Sequence, residues 1–371
     1  MYLLIYVDDI IITASDQAAI TKLLQLLSAD FAVKDLGDLH YFLSVEVIKL
    51  NSGLLLSQHH YIMDLLKKTN MHEVKLITSP MASSLALSAF TGDPMEDPSL
   101  YRNIVGSLQY LSLTRPNLNY TVNRVCQFMH RPLKPHWQAI KRILRYLKHT
   151  VSHGRLLHHN SSNTLQAYFD EDWAGCPDDC RSTGAYCVYL GSNLIFRSSR
   201  KQPTVSRSST KAKYKAVANT TAELLWIRAL LQELGITHST PPTLWCDNIG
   251  ATHMSVNPVF HARTKHVEID FHFVRNYVAD KSLVVRFVPT SDQVADVLTK
   301  PLVSAKFHHF CYKLNVRSPP LILKEGINTT PITTPTQDSN STYESCAAQH
   351  NLKTIEKSSN PIWSPNMKIE F

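Results

Sequence analysis

Along the chain, the spacing of apolar and polar positions changes period several times, and each change predicts an element. Met1-Tyr-Leu-Leu-Ile-Tyr-Val-Asp-Asp-Ile-Ile-Ile-Thr is a pair of apolar, β-prone runs broken by Asp8-Asp9, which predicts a hairpin with two carboxylates at its turn. From Tyr101 to Phe128 the pattern predicts two helices separated near Pro116. In His136 to His149, Trp137, Ile140, Leu144 and Leu147 recur at helical spacing, which groups Lys141, Arg145 and Lys148 on another face. From Leu165 to Lys300 the order reads strand, strand, strand, helix, strand, helix, strand, helix. Leu165 to Asp170 is the first strand, and Thr183 to Leu190 with Asn193 to Arg197 form a hairpin about Gly191-Ser192. A long amphipathic helix runs from about Ser209 to Leu234 and stops at Gly235. The strand Thr243 to Cys246 delivers Asp247, and Ala295-Asp296 opens a last helix. The fold class is therefore mixed α/β. Beyond Val316 the composition turns to Ser, Thr, Asn and Pro without periodicity, which predicts disorder through Phe371.

With 371 residues, 44% hydrophobic and 18% charged, the chain suits a globular protein of two or more domains and excludes wholesale disorder. Glycine, at 11, and proline, at 19, are too few for a collagen-like repeat or long linkers. No apolar run approaches the roughly 18 residues of a membrane-spanning helix. The net charge of +8 points to an anionic partner, nucleic acid first. Seven cysteines, spread from Cys126 to Cys346 without a CxxC pair or signal peptide, suit a reducing compartment, cytoplasmic or nuclear rather than secreted. Cys176 and Cys180 lack a second ligand pair at zinc-finger distance and read as ordinary thiols.

The candidate chemistry is carboxylate chemistry. Asp8 and Asp9 at a turn suit either metal binding or plain turn formation. Asp170, Asp247 and Asp296, arriving at strand ends and a helix start, could converge on one site, although each alone suits an ordinary structural role.

Longer motifs narrow this. Tyr6-Val7-Asp8-Asp9 resembles the YxDD box of reverse transcriptases, and is followed by Phe31-Ala-Val-Lys-Asp-Leu-Gly-Asp-Leu-His-Tyr-Phe-Leu-Ser-Val-Glu-Val and Gly53-Leu-Leu-Leu-Ser-Gln-His. Tyr168-Phe-Asp-Glu-Asp-Trp-Ala-Gly-Cys-Pro-Asp-Asp, Trp245-Cys-Asp-Asn, the block from Asn257 to Asp270 and Ala295-Asp-Val-Leu-Thr-Lys follow in order. Together they resemble the end of the Pol polyprotein of copia-type LTR retrotransposons, from Met1 to about Val316.

The resemblance implies a reverse-transcriptase remnant over 1–90, a helical connection over 91–154, an RNase H-like domain over 155–302, and the family terminus with a disordered tail over 303–371. It implies Asp8 and Asp9 as polymerase carboxylates, with a third one upstream of the YxDD hairpin, so this chain is not expected to polymerise DNA. It implies Asp170, Asp247 and Asp296 as catalytic, metal-binding carboxylates for Mg2+ or Mn2+. It also implies an RNA–DNA hybrid or other nucleic-acid partner, with no membrane. Lys141, Arg145, Lys148, Arg200, Lys201 and Arg207 are the candidate phosphate contacts.

The departures from the family pattern matter as much. Ser44 stands where the family commonly carries glycine, Phe196-Arg197 where it has Ser-Trp, and Gly184-Ala185 where it has Ser-Gly. The S-S-T-E-A-E-Y element reads Ser208-Ser-Thr-Lys211-Ala-Lys213-Tyr214, so Lys213 replaces a ligand glutamate. An ammonium about 4 Å from a divalent ion is repelled by on the order of 8 kcal/mol at an effective dielectric of about 20. The expectation is a nucleic-acid-binding product with an impaired RNase H. The alternatives are an active metal-dependent RNase H, with Asp172 or Glu171 compensating, and a non-catalytic binding or scaffold protein.

Overall fold

The computed structural model describes residues 1–83, 85–159, 162–236, 240–256, 268–319 and 351–357, with Lys353 the one side chain described in the last segment. Two compact units are present: one joins Met1–Val47 to the C-terminal segment, and the other is Ile48–Pro319. The boundaries expected at 90/91, 154/155 and 302/303 all lie within the second unit.

In the first unit, β1 (Tyr2–Tyr6) and β2 (Asp9–Ala14) form the antiparallel hairpin the apolar runs predicted, with Tyr6 opposite Asp9. Its tight turn places Val7 at a φ of 53°, unusual for a β-branched residue. Helix α1 (Gln17–Asp30) starts at Asp16, whose carboxylate accepts from the Ala18 N–H. It packs on β2 and on β3 (Val33–Asp38), burying Ile12, Ala14 and Ile20 against Leu23, Leu24 and Val33. A short hairpin follows, β4 (Tyr41–Phe42) with β5 (Val45–Leu50), and the division between units falls within β5. At its turn Leu43 and Ser44 have φ of 47° and 59°, so Ser44 occupies a left-handed position that glycine adopts without strain.

The tail departs from expectation. Asn351–Lys357 is a strand, and the sheet order is β1, β2, the C-terminal strand, β3. Composition over the whole tail hid the β-prone Leu352, Thr354 and Ile355, and strand formation was decided by open backbone on β2 and β3. Arg317, also expected to be disordered, pairs with Gly154 as the end of a short strand, while 320–350 and 358–371 lie outside the described residues, as do Asn257 to Val267 of the block from Asn257 to Asp270.

The second unit begins with β6 (Gly53–Ser57) and α2 (His59–Lys68). Helices α3 (Pro98–Leu111) and α4 (Asn119–Cys126) flank Pro116 as the sequence suggested, and α5 (Lys134–His149) follows. α5 buries Ile140, Ile143, Leu144, Tyr146 and Leu147 in a core shared with Tyr101, Leu108, Val125, Val294 and Phe310. Strand β7 (Gly154–His158) pairs with β6. The next sheet contains β8 (Leu165–Asp172), β9 (Thr183–Leu190) and β10 (Asn193–Lys201), followed by α6 (Ser209–Glu233) and β11 (Thr243–Cys246). Helices α7 (Ile249–Val256) and α8 (Glu268–Ala279) precede β12 (Val284–Phe287), and α9 (Asp296–Thr299), α10 (Ser304–Lys313) and β13 (Val316–Arg317) close the unit.

The sheet order is β10-β9-β8-β11-β12, antiparallel from β10 to β8 and parallel from β8 through β12. The mixed sheet follows the order of strands and helices expected from Leu165 onward. A second core lies between it and α6, with Phe169, Val188, Tyr214, Leu224, Leu244 and Phe271 at its centre. No helix among the described residues is long and apolar enough to cross a membrane.

Candidate active site

Strand register brings the first two carboxylates together. Trp245 of β11 pairs with Tyr168 of β8 in a parallel ladder, so Asp170 and Asp247, each two residues further on, reach the same edge of the sheet. Asp296 arrives as the first residue of α9, which packs on β8. Ligand oxygens of Asp170, Asp247 and Asp296 lie within 4.8 Å of one another. Asp296 and Asp170 are 0% and 1% exposed, a costly burial for carboxylates unless they are paired.

The pairing comes from lysines. Lys213 Nζ, from the first turns of α6, is 2.8 Å from Asp247 Oδ1 and 3.8 Å from Asp170 Oδ1. Lys300 Nζ is 3.3 Å from Asp170 Oδ2 and 2.9 Å from Asp296 Oδ1, and Lys306 Nζ is 2.8 Å from Asp296 Oδ2. The Thr299 hydroxyl donates to Asp170 Oδ2 at 2.5 Å. Three ammoniums thus face three carboxylates, and the cluster is neutral in itself.

The titrations follow from this geometry. Burial pushes the Asp170 carboxyl up, but the Lys300 charge, the Thr299 hydroxyl and Lys213 outweigh it and hold Asp170 below the ordinary carboxylate range. Asp296 is raised, by burial first and then by the charge of Asp170. Burial would lower Lys213, yet its hydrogen bond and charge contact with Asp247 keep it above the ordinary lysine value. Lys300, opposed by burial in the same way, is pushed up to about 12 by Asp170 and Asp296.

The oxygen donors suit a hard divalent cation. The Lys213 ammonium does not, because it lies against the two carboxylates that such an ion would share. As built, the residues do not fit a divalent ion beside Asp170 and Asp247. Neither Glu171 nor Asp172 joins the cluster among the described residues. Glu171 instead lies beside Gln202 Nε2 at 3.4 Å, and burial raises its carboxyl to about 7.

Lys211, at the third position of α6, stands where a capping-box glutamate would reach back, and Ser208 alone caps by accepting from the Lys211 N–H. The sequence reading missed three groups of this cluster. Lys300 and Thr299 were visible in the Ala295 to Lys300 block, with Lys300 one helical turn after Asp296. Lys306 carried no sequence signal, because it reaches Asp296 from a separate helix, α10.

The other candidates are scattered. Asp9 opens β2 and Asp8 is at the turn before it, in the first unit. On α5, Arg145 donates to the Lys75 carbonyl at 2.7 Å and Lys148 to the Val74 carbonyl at 3.0 Å, which ties these two cations to a neighbouring loop. Lys141 lies over the Trp137 ring, 5.9 Å from its centroid. Lys201 is held by Asp179 at 2.8 Å and donates to Cys176 Sγ at 2.9 Å, whereas Arg200 and Arg207 are exposed. Cys176 and Cys180 are free thiols. Phe196 keeps an aromatic contact with Tyr186 and Trp226, and half-buried Arg197 donates to the Ser112 carbonyl.

Residues 1–83 match the family model "Reverse transcriptase (RNA-dependent DNA polymerase)". The chain is similar to the Retrovirus-related Pol polyprotein from transposon RE1 of Arabidopsis thaliana, 52% identical over 321 residues, covering 86% of this chain and 22% of that one. It is 47% identical over 229 residues to an uncharacterized mitochondrial protein of the same plant, covering 62% of this chain and 95% of that one. The chain thus spans about a fifth of the length of the Pol polyprotein it matches. Among solved structures, a foamy viral protease-reverse transcriptase in complex with RNA/DNA hybrid aligns over 91% of this chain and 38% of that one, at 11% identity and a TM-score of 0.41.

Proposed function

From the premise that the chain belongs to the copia-type retrotransposon Pol family, we propose that it binds nucleic acid through phosphates and that its RNase H is impaired. The observation that carries the reading is Lys213, whose ammonium takes the place of a divalent charge between Asp247 and Asp170. With Lys300 and Lys306 completing the neutralisation, the carboxylates lack the net negative charge that draws Mg2+ or Mn2+.

Phosphate binding rests on the exposed Arg200 and Arg207, with Lys211 and Lys215 of α6 nearby in sequence. Lys141 extends this set; Lys148 and Arg145 contribute only where they release their backbone carbonyls. The partner is an RNA–DNA hybrid or another duplex, gripped with little sequence preference. The division into 1–90, 91–154, 155–302 and 303–371 is proposed as one of ancestry, and the site of action as intracellular.

The test is cleavage of a labelled RNA–DNA hybrid in Mn2+ by the full chain and by its Lys213→Glu variant, with binding measured over a salt series. We expect binding by both, weakening as salt rises, and cleavage by the variant alone. Cleavage by the natural chain would overturn the reading.

One observation favours the active alternative: three carboxylate oxygens within 4.8 Å could hold one ion if Lys213, with 17% of its side chain exposed, swings into solvent. That reading requires cleavage by the natural chain, abolished in Asp247→Asn.

A further inference from the structure

The sheet of the first unit contains one strand whose connection comes from the opposite end of the chain. Asn351–Lys357 lies between β2 and β3, antiparallel to both. Asn351 to Glu356 pair with Ala14 back to Asp9, and the pairing with β3 runs from Lys353 opposite Asp38 to Lys357 opposite Val33. β2 and β3 do not neighbour each other in this sheet, although α1 alone separates them in sequence.

Helix α1 bridges the two flanking strands. It packs on both strands and joins Ile12 and Ala14 of β2 to Val33 of β3 through Ile20, Leu23 and Leu24. The two strands thereby share one apolar face with α1. Neighbouring strands lie about 4.8 Å apart, so β2 and β3 flank a slot one strand wide, with backbone donors and acceptors on both walls.

The slot also has a register mark. Lys353 Nζ lies 3.0 Å from Asp35 Oδ2, and the Asp35 carboxylate is fixed by accepting from the Gly37 N–H at 2.8 Å. An irregularity in the ladder between Lys353 and Ile355 sets the pairing on either side of this contact.

We infer that the gap between β2 and β3 is a strand-accepting site, filled by the chain's own Asn351–Lys357 segment and able to take the same segment as a separate peptide. Main-chain pairing on two edges supplies the affinity, and a basic side chain opposite Asp35 supplies the register. The ligand class is an extended peptide with lysine or arginine at the Lys353 position.

The experiment uses the full chain with a specific protease site inserted between Asp338 and Ser339. After cleavage at tens of micromolar, the C-terminal fragment should co-elute with the remainder. Once it is removed by dilution, a labelled peptide of residues 348–360 should bind and restore amide protection in Asp9–Ala14 and Val33–Asp38. Asp35→Lys should weaken peptide binding about threefold, and a Lys353→Asp peptide should recover it on that variant. Loss of the fragment on cleavage, or strands that stay fully protected without fragment or peptide, overturns the inference. A dimer that survives cleavage assigns the strand to a second copy and overturns the intramolecular filling.

Discussion

The Lys213 ammonium and the Asp247 carboxylate are 2.8 Å apart, and this pair sets what the surrounding cluster can do. Removing the cation should be costly, because Asp247 and the nearly inaccessible Asp170 would face each other without it. We expect Lys213→Ala to lose about 1–3 kcal/mol, below the usual cost of breaking a fully buried pair because the lysine is partly exposed. Mn2+ should then raise the melting temperature of the variant and leave the natural chain unmoved. Thermal melts with and without Mn2+ check both points, and an equal Mn2+ shift in the two proteins would show that the lysine does not exclude the ion.

Thr299 holds Asp170 from the other side with a 2.5 Å hydrogen bond. Hydrogen bonds to charged groups contribute about 1.5–3 kcal/mol, so Thr299→Val should lose an amount in this range and Thr299→Ser much less. Denaturant unfolding of the two variants measures the difference.

The start of α6 has a cation where a capping box wants an anion. Lys211→Glu lets the side chain reach back to the Ser208 N–H and places negative charge at the positive end of the helix. A gain of about 0.5–1 kcal/mol is expected, read as a higher unfolding midpoint. No gain would mean that the first turn is already satisfied by its neighbours.

Ser44 has a φ of 59°, in the left-handed region that costs an L residue roughly 1–2 kcal/mol. Ser44→Gly should recover part of this, about 0.5–1 kcal/mol after the extra freedom glycine gives the unfolded chain. The readout is thermal or denaturant unfolding of the first unit, and a destabilised variant would contradict the expectation.

His153 sets a pH dependence. Burial, and then the charge of Arg115, lower its imidazole from 6.5 to about 4. The unfolded chain therefore takes up this proton at higher pH than the folded one. The contribution is intact above 6.5 and is lost progressively as pH falls toward 4. In His153→Gln, the stability curve between these values should be flatter than in the natural chain. Parallel curves would remove His153 from the account.

Much of this protein was legible in its sequence. The Asp8-Asp9 hairpin, the helix pair about Pro116 and the order of strands and helices from Leu165 onward follow from local periodicity, which acts over a few residues, and the clustering of Asp170, Asp247 and Asp296 was implied by the family resemblance. The Lys213 substitution was legible too, as a charge of the wrong sign. What the sequence left open is where each long side chain ends. The arrival of Lys306 at Asp296 depends on where α10 packs, and the loss of Arg145 and Lys148 to backbone carbonyls depends on a loop about seventy positions away. The C-terminal strand was hidden for the same reason. Its β-prone residues sit in a tail whose overall composition masks them, and their pairing is with the backbone of β2 and β3, at the opposite end of the chain.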